Sequence, residues 1–318
     1  MTKAIIPKIA VITGPTATGK TALGVLLAKE QNGEIVSADS MQVYRRMNIG
    51  TAKVTIEEMQ GIRHHMIDVC EPYEHFSVAR YVKEADACVQ DILKRGKLPI
   101  VVGGTGLYID SLILGRDFDE NASDENLRRE LEAKYISLGG EKLLEELGAF
   151  DPERAKLLHS SDKKRILRAL EVFYTTGKTI TEHDEDSKKA PPRYSAATIA
   201  LAYEDRGNLY EKINKRVDLM VSSGLFDEVR SILLSGVSEN CTAMQAIGYK
   251  ESAMALRGEI NETEAVELIK QESRRYAKRQ LTWIRRKENI NWIFWKSSPD
   301  FEITRQISTK LLTANGLE

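Results

Sequence analysis

The sequence predicts an α/β protein, a parallel sheet built on a phosphate-binding loop and interrupted by an all-helical insertion. Three observations predict it. Residues 9–28 read as an apolar strand, a glycine-bounded loop and an apolar helical pattern. Two further apolar runs, Leu98–Gly103 and Ser195–Tyr203, have the composition of strands buried on both faces. Between about Arg116 and Arg193 strand signals disappear and short capped helices take over. The expected division is therefore 1–115 with 195–318 as the core and 116–194 as the insertion.

The loop is the most specific feature. Gly14, Gly19, Lys20 and Thr21 satisfy G-x-x-x-x-G-K-[ST] within the run Gly14, Pro15, Thr16, Ala17, Thr18, Gly19, Lys20, Thr21. Its glycines let backbone N–H groups converge on a phosphate chain, the helix start adds partial positive charge, Lys20 adds a full one, and Thr21 suits Mg²⁺. This makes the core P-loop NTPase-like and specifies a diphosphate group, while leaving the reaction open.

Composition bounds the rest. At 318 residues and 42% hydrophobic content the chain can bury the cores of about two domains. No apolar run approaches the ~20 residues of a membrane span, and residues 1–8 lack a signal-peptide core, so a cytoplasmic protein is expected. Three dispersed cysteines, Cys70, Cys88 and Cys241, indicate neither a disulfide framework nor a zinc site. A net charge of −1 gives no bulk argument for nucleic acid, so any such surface has to be local.

Along the chain, Glu34–Tyr44 reads as a strand entering a loop with Asp39, Ser40 and Gln42. Ligands of parallel sheets bind beyond the strands' carboxyl ends, which puts Asp39 on the same crevice as the loop, as a base, a magnesium partner or a turn cap. Residues 44–53 add Arg45, Arg46 and Lys53 around a glycine turn, compatible with anion contacts. His64 and His65 point to opposite faces of a strand edge and make a poor chelate, so packing or hydrogen bonding is expected. Ser77 caps a helix that Gly96 ends. The strand at 98–103 ends in Gly103-Gly104 where many P-loop ATPases carry a magnesium-holding Asp; glycines there allow a flat group to approach, with Thr105 able to hydrogen-bond it.

In the insertion, Ser123, Asp151-Pro152 and Asp162 start helices, the last ending at Gly177, and residues 182–193 read as an exposed polar connector. Lys163, Lys164, Arg165 and Arg168 stand against one acid, Asp162, as a solvated face or a phosphate contact. Ser195–Tyr203 rejoins the sheet. In the following helix Leu209, Ile213, Val217, Met220 and Val221 share one face with Arg216 beside it, aimed toward a site. Asn261 and Glu264 form a capping box for a long helix with Leu268, Ile269, Tyr276, Ala277, Leu281 and Ile284 inward. That helix carries Arg274, Lys278 and Arg285, and one residue on Arg275, Arg279 and Arg286. With seven bases against two acids from Gln271 to Glu288, this stripe is read as the chain's phosphate-backbone surface. Residues 292–295 read as a last strand with core aromatics.

These motifs together resemble the bacterial-type tRNA dimethylallyltransferase (tRNA isopentenyl transferase) family. The matching runs are Gly-Pro-Thr-Ala-Thr-Gly-Lys-Thr (14–21), Ser-Ala-Asp-Ser-Met-Gln-Val-Tyr (37–44), Ile-Gly-Thr-Ala-Lys (49–53), His-His-Met-Ile-Asp (64–68), Val-Gly-Gly-Thr-Gly-Leu-Tyr (102–108), Arg-Ile-Leu-Arg-Ala-Leu-Glu-Val (165–172), Ala-Ile-Gly-Tyr-Lys-Glu (246–251) and Tyr-Ala-Lys-Arg-Gln-Leu-Thr-Trp (276–283). They span the chain in family order. The resemblance implies transfer of a dimethylallyl group from dimethylallyl diphosphate to the exocyclic amine of the tRNA adenosine beside the anticodon. It implies that Lys20, Thr21 with Mg²⁺, the loop amides and Arg216 stabilise the leaving diphosphate while Asp39 takes the amine proton. It further implies that Asp39, Ser40, Met41, Gln42 and Thr105 touch a flipped-out adenosine, and that the insertion and the basic helix (Arg274, Arg275, Lys278, Arg279) hold the anticodon stem-loop. No membrane contact and no protein partner follow. The competing reading is a small-molecule or nucleotide kinase with ATP on the loop and the insertion as a lid. A regulatory GTPase lacks its Asn-Lys-x-Asp motif here.

Overall fold

The computed structural model describes residues 6–116, 125–189 and 191–317; the expected cap at Ser123 lies outside them. Six strands, β1 (Lys8–Thr13), β2 (Gly33–Ala38), β3 (His64–His65), β4 (Leu98–Gly103), β5 (Ser195–Tyr203) and β6 (Ile290–Trp295), form one sheet in the order β3-β2-β4-β1-β5-β6. Every pairing is parallel. Parallel sheets are covered on both faces, which is why β2 and β4 are buried throughout and read as continuous rather than alternating runs.

The strand order matters more than the strand count. Because β4 lies between β1 and β2, with Ile12 opposite Val102 and Ala38 opposite Gly103, three carboxyl ends meet: the phosphate loop after β1, Asp39 after β2 and Gly103-Gly104 after β4. A Cβ at Gly103 would lie 2.2 Å from the Ala38 carbonyl oxygen, so a glycine is required for the two strand ends to approach.

Helices follow the strands as parallel crossovers require. They are α1 (Lys20–Glu30), α2 (Ile56–Met59), α3 (Val78–Lys94) and α4 (Gly106–Leu114), then α5 (Glu125–Phe150, two helical stretches joined by a kink at Gly139), α6 (Pro152–Lys156), α7 (Lys163–Thr176) and α8 (Ile180–Lys189). The chain continues with α9 (Arg206–Ser222), α10 (Leu225–Leu234), α11 (Tyr249–Leu256), α12 (Glu262–Arg285) and α13 (Phe301–Ala314). Three expected caps are in place: Ser77 accepts from Arg80 N, Asp151 from Arg154 N, and Asn261 and Glu264 form the reciprocal box. Asp162 precedes α7 as expected, but its carboxylate accepts from His159 N and makes no cap hydrogen bond.

Two compact units result, the residues up to Ile113 with those from Arg193 onward, and Leu114–Pro192. The second has its own core, including Leu131, Leu143, Leu147, Ile166 and Leu170. One expectation for it is corrected. The stretch from 182, read as a connector on its polar composition, is helical as far as Lys189, because Thr179 and Glu182 cap α8 reciprocally and Asp151 accepts from Thr181 N and Oγ1. Local polarity could not reveal the tertiary contact with Asp151.

His65 is structural, as expected. Its Nε2 meets the Glu34 carboxylate at 2.8 Å, and Arg95 and Lys97 bind the same group. The Arg95 hydrogen bond holds that buried carboxyl far below the ordinary range, outweighing its desolvation. Among the described residues no group of three or more His, Cys, Asp or Glu is placed to hold a metal, and no helix is long and apolar enough to cross a membrane.

The chain's end supports its beginning. Trp295 Nε1 donates to the carbonyl of Thr18 at 3.1 Å in a buried bond, and the Phe301 ring packs edge-on to Trp295 and covers Gly19. Trp295→Phe leaves the Thr18 acceptor buried without its donor and should cost about 1–3 kcal/mol. Denaturant midpoints check this, and a loss under about 0.5 kcal/mol would show that the bond does not matter to the fold.

A candidate active site at the phosphate loop

The loop is built for anions by backbone geometry. Gly14 (φ 147°) and Gly19 (φ 79°) lie in positive-φ conformations, and Ala17 is left-handed at φ 63°. Side chains are barred at both glycines, since a Cβ on Gly14 would lie 2.4 Å from the Leu201 carbonyl oxygen and one on Gly19 2.7 Å from the Phe301 ring. Thr18 is buried and donates to the Pro15 carbonyl at 2.8 Å, so it braces the loop from within. Lys20 Nζ curls back to the same carbonyl at 2.7 Å, and Thr21 is exposed on the first turn of α1.

These groups open onto a cavity of about 350 Å³. Thr16, Lys20 and Thr21 line one part of it, Asp39, Ser40, Met41 and Gln42 another, and Arg216 enters from α9 with Ile213, Val217 and Met220. Sequence-remote residues that chemistry would group are thus brought together. Asp39 Oδ1 accepts from Met41 N (2.8 Å) and Gln42 N (3.3 Å), which fixes the carboxylate at the end of β2. Thr105 is spent on the same loop, its hydroxyl accepting from Ser40 N at 3.1 Å while its own N–H donates to Ala38 O.

The electrostatics are unbalanced. Desolvation, then the Arg216 charge, lowers the Lys20 pKa to about 7, against the opposing pull of Asp39. Burial likewise lowers the Arg216 pKa from its usual value, with Asp39 and Glu58 opposing. Among the described residues neither cation is in an ion pair; Lys20 hydrogen-bonds Pro15, and Arg216 the Thr51 carbonyl at 3.3 Å. Two desolvated cations that Asp39 attracts but does not ion-pair favour an anion bound between them.

Thr21 and Asp39 line the same cavity, but no carboxylate cluster accompanies them. That donor set fits Mg²⁺ bound chiefly by phosphate oxygens and water, with one or two protein ligands. It does not fit an all-protein metal cage.

The long helix contributes differently from expectation. Of its basic stripe, Arg279 lines the cavity and lies over the Tyr276 ring, 5.5 Å from its centroid. Arg274 turns to Asn214 of α9 at 2.6 Å and is committed to helix packing. Arg275 pairs with Glu272, and Lys278, Arg285 and Arg286 are exposed. On α7, Lys164 and Arg165 are exposed, Arg168 pairs with Glu171, and Lys163 lies over Tyr135. The bases around residues 44–53 are taken internally: Lys53 Nζ by Tyr44 O, Asn48 and Asp68, Arg45 by Glu71, and Arg46 by Glu71 and Ser235.

Sequence reasoning missed Gln280 and misjudged Tyr276. Buried Gln280 accepts from Thr16 N at 2.9 Å and donates to Gly104 O at 3.0 Å, clamping the phosphate loop to the turn after β4. A Cβ at Gly104 would lie 2.1 Å from its amide nitrogen. The available signal was an amide on the same helix face as Ala277, Leu281 and Ile284, a position where burial requires partners. Tyr276, assigned to the core stripe, lines the cavity instead, its pKa raised to about 12 by desolvation and Asp39.

Comparison with known proteins places the chain in a family. Residues 42–287 match the family described as IPP transferase, and residues 7–72 one described as isopentenyl transferase. A tRNA dimethylallyltransferase of Caldanaerobacter subterraneus is 49% identical over 300 residues, covering 94% of this chain and 95% of the relative. The crystal structure of a tRNA isopentenylpyrophosphate transferase from Bacillus halodurans is 41% identical, with coverage of 97% and 98% and a TM-score of 0.72. A eukaryotic dimethylallyltransferase described as acting on tRNA is 29% identical with a TM-score of 0.83, covering 98% of this chain and 80% of that one. With a matching stretch that spans most of its length, the chain belongs to the IPP transferase family.

Proposed function

We propose that this protein transfers the dimethylallyl group of dimethylallyl diphosphate to N6 of adenosine 37, beside the tRNA anticodon, in the cytoplasm, and releases diphosphate. One observation carries the reading: two desolvated cations in no ion pair among the described residues, Lys20 and Arg216, share a cavity with a single fixed carboxylate, Asp39. Cations suit a departing diphosphate, and a carboxylate across from them suits an amine that must lose a proton.

The reaction breaks the bond between the allylic carbon and the diphosphate oxygen and forms one from that carbon to N6. Negative charge grows on the leaving group, which Lys20, Arg216 and the loop amides would stabilise from the cavity wall; such electrostatic stabilisation is the largest lever available to a group transfer. Mg²⁺, held by Thr21 and phosphate oxygens, would neutralise part of that charge. Asp39 accepts the proton that N6 sheds, and general bases of this kind contribute ~10²- to 10⁴-fold. The adenosine must leave its stack to reach Asp39, with Ser40, Met41 and Gln42 beside it and Thr105 holding Ser40 in place. Exposed bases on α12 (Arg275, Lys278) and α7 (Lys164, Arg165) serve the RNA backbone. The kinase reading has less support, since β4 ends in glycines rather than an acid and the similar proteins are named as transferases.

Incubation with labelled dimethylallyl diphosphate, Mg²⁺ and unmodified tRNA, followed by nucleoside analysis, tests the proposal; label in N6-modified adenosine supports it. ATP turnover without tRNA and no labelled nucleoside would replace it with the kinase. Asp39→Asn should slow single turnover by ~10²-fold or more at any Mg²⁺ concentration with tRNA affinity unchanged, whereas recovery at high Mg²⁺ would make Asp39 a metal ligand.

Lys20 gives a pH prediction. A bound diphosphate favours the ammonium, so the complex holds this proton more tightly than the free protein, and binding takes up a proton above about pH 7. The Lys20 contribution to affinity therefore falls as pH rises through that value. Calorimetry of inorganic pyrophosphate at pH 8 in two buffers of different ionisation enthalpy should show greater proton uptake for the wild type than for Lys20→Met, and equal uptake would contradict the assignment. Arg275→Glu with Lys278→Glu, which spares the cavity, should flatten the salt dependence of tRNA binding by about one log unit of slope, or less, per lost phosphate contact. An unchanged slope would make these residues a merely solvated face.

A further inference from the structure

Glu228 of α10 is remote from the reacting groups in sequence and chemistry, yet its carboxylate is the most heavily used acceptor near the cavity. Oε2 accepts from the backbone N–H groups of Asn48 (2.9 Å) and Ile49 (2.8 Å), and Oε1 from Gly50 N (3.2 Å) and the Tyr249 hydroxyl (2.5 Å). Three consecutive amides converging on one anion form a nest, the arrangement that elsewhere binds phosphate, here filled by the protein's own side chain. Gly50 is required for the fit, because a Cβ there would lie 2.4 Å from the Tyr249 ring.

The nest's next residues form the cavity wall. The carbonyl of Thr51 accepts from Arg216 Nη2 at 3.3 Å and from Gln42 Nε2 at 3.4 Å, and Ala52 O also accepts from Gln42 Nε2. The Thr51 bond is the one hydrogen bond that Arg216 makes to protein among the described residues. Without it a long guanidinium side chain, desolvated and next to Lys20, would be free to swing away from the like charge.

We propose that Glu228 is a positioning residue for diphosphate binding: it locks residues 48–50 so that the Thr51 carbonyl holds Arg216 in the anion-binding orientation. The identity of the anion rests on the function proposed above; the lock does not. A carboxylate is needed because it is acceptor-only and has room for four donors. Glutamine at 228 would present its own N–H groups to some of the same donors.

A double-mutant cycle on inorganic pyrophosphate affinity, read by calorimetry, tests the lock. Glu228→Gln should weaken binding about tenfold in the wild-type background, while adding it to Arg216→Gln should change affinity by no more than about twofold, because its effect passes through Arg216. A merely structural Glu228 would lower the melting temperature and leave the two losses additive; additivity, or unchanged affinity in Glu228→Gln, overturns the proposal. Should Glu228→Gln fail to fold, Tyr249→Phe removes one of the four donors, and its smaller loss, about threefold, must vanish in the same way in the Arg216→Gln background. Non-additive pyrophosphate binding in a protein that transfers no dimethylallyl group would sink the proposed function and keep the lock; normal transfer with additive losses would do the reverse.

Discussion

The site is organised around two desolvated cations, Lys20 and Arg216, that line one cavity with Asp39 and, among the described residues, form no ion pair. Like charges in low dielectric repel strongly, and each pays for its lost hydration. Lys20 meets this by a pKa lowered to about 7, and Arg216, which stays protonated, by a single backbone carbonyl. Under the proposed function, what is unfavourable without a ligand would become binding energy for diphosphate and would increase as charge concentrates on the leaving group.

Holding that arrangement requires a rigid frame, and the frame is assembled from distant parts of the chain. Strand order brings the ends of β1, β2 and β4 side by side. Gln280 ties the loop to the turn after β4, Trp295 and Phe301 close it from the far end of the sequence, and Glu228 fixes the wall that carries Thr51. Each of these supports is a side chain that hydrogen-bonds or closely contacts backbone, and so fixes main-chain positions around the site.

What could be read from the sequence follows from this division. The phosphate loop, the helix caps at Ser77, Asp151 and Asn261, and Asp39 at a strand end are local patterns, and each stands where local physics puts it. Gln280 and Glu228 work across 264 and 178 to 180 residues of chain, and nothing in their immediate neighbours encodes a partner that far away. Arg274 shows the converse: helical periodicity put it on the basic stripe, but periodicity fixes an angle around the helix and could not show that Asn214 is packed there to accept its hydrogen bond. Lys53 likewise looked available for an anion until the fold supplied three oxygens for its ammonium group.

Under the proposed function, leaving group and nucleophile meet in this one cavity, with cations on the first and Asp39 on the second. A crystal structure with a sulfur-bridged, non-transferable dimethylallyl diphosphate and an anticodon stem-loop measures it directly. The diphosphate should lie within hydrogen-bonding distance of Lys20 and Arg216, and the adenosine N6 at about 2.6–3.2 Å from the Asp39 carboxylate. A diphosphate bound away from Lys20, or an adenosine amine facing some other acceptor with Asp39 out of reach, would contradict it.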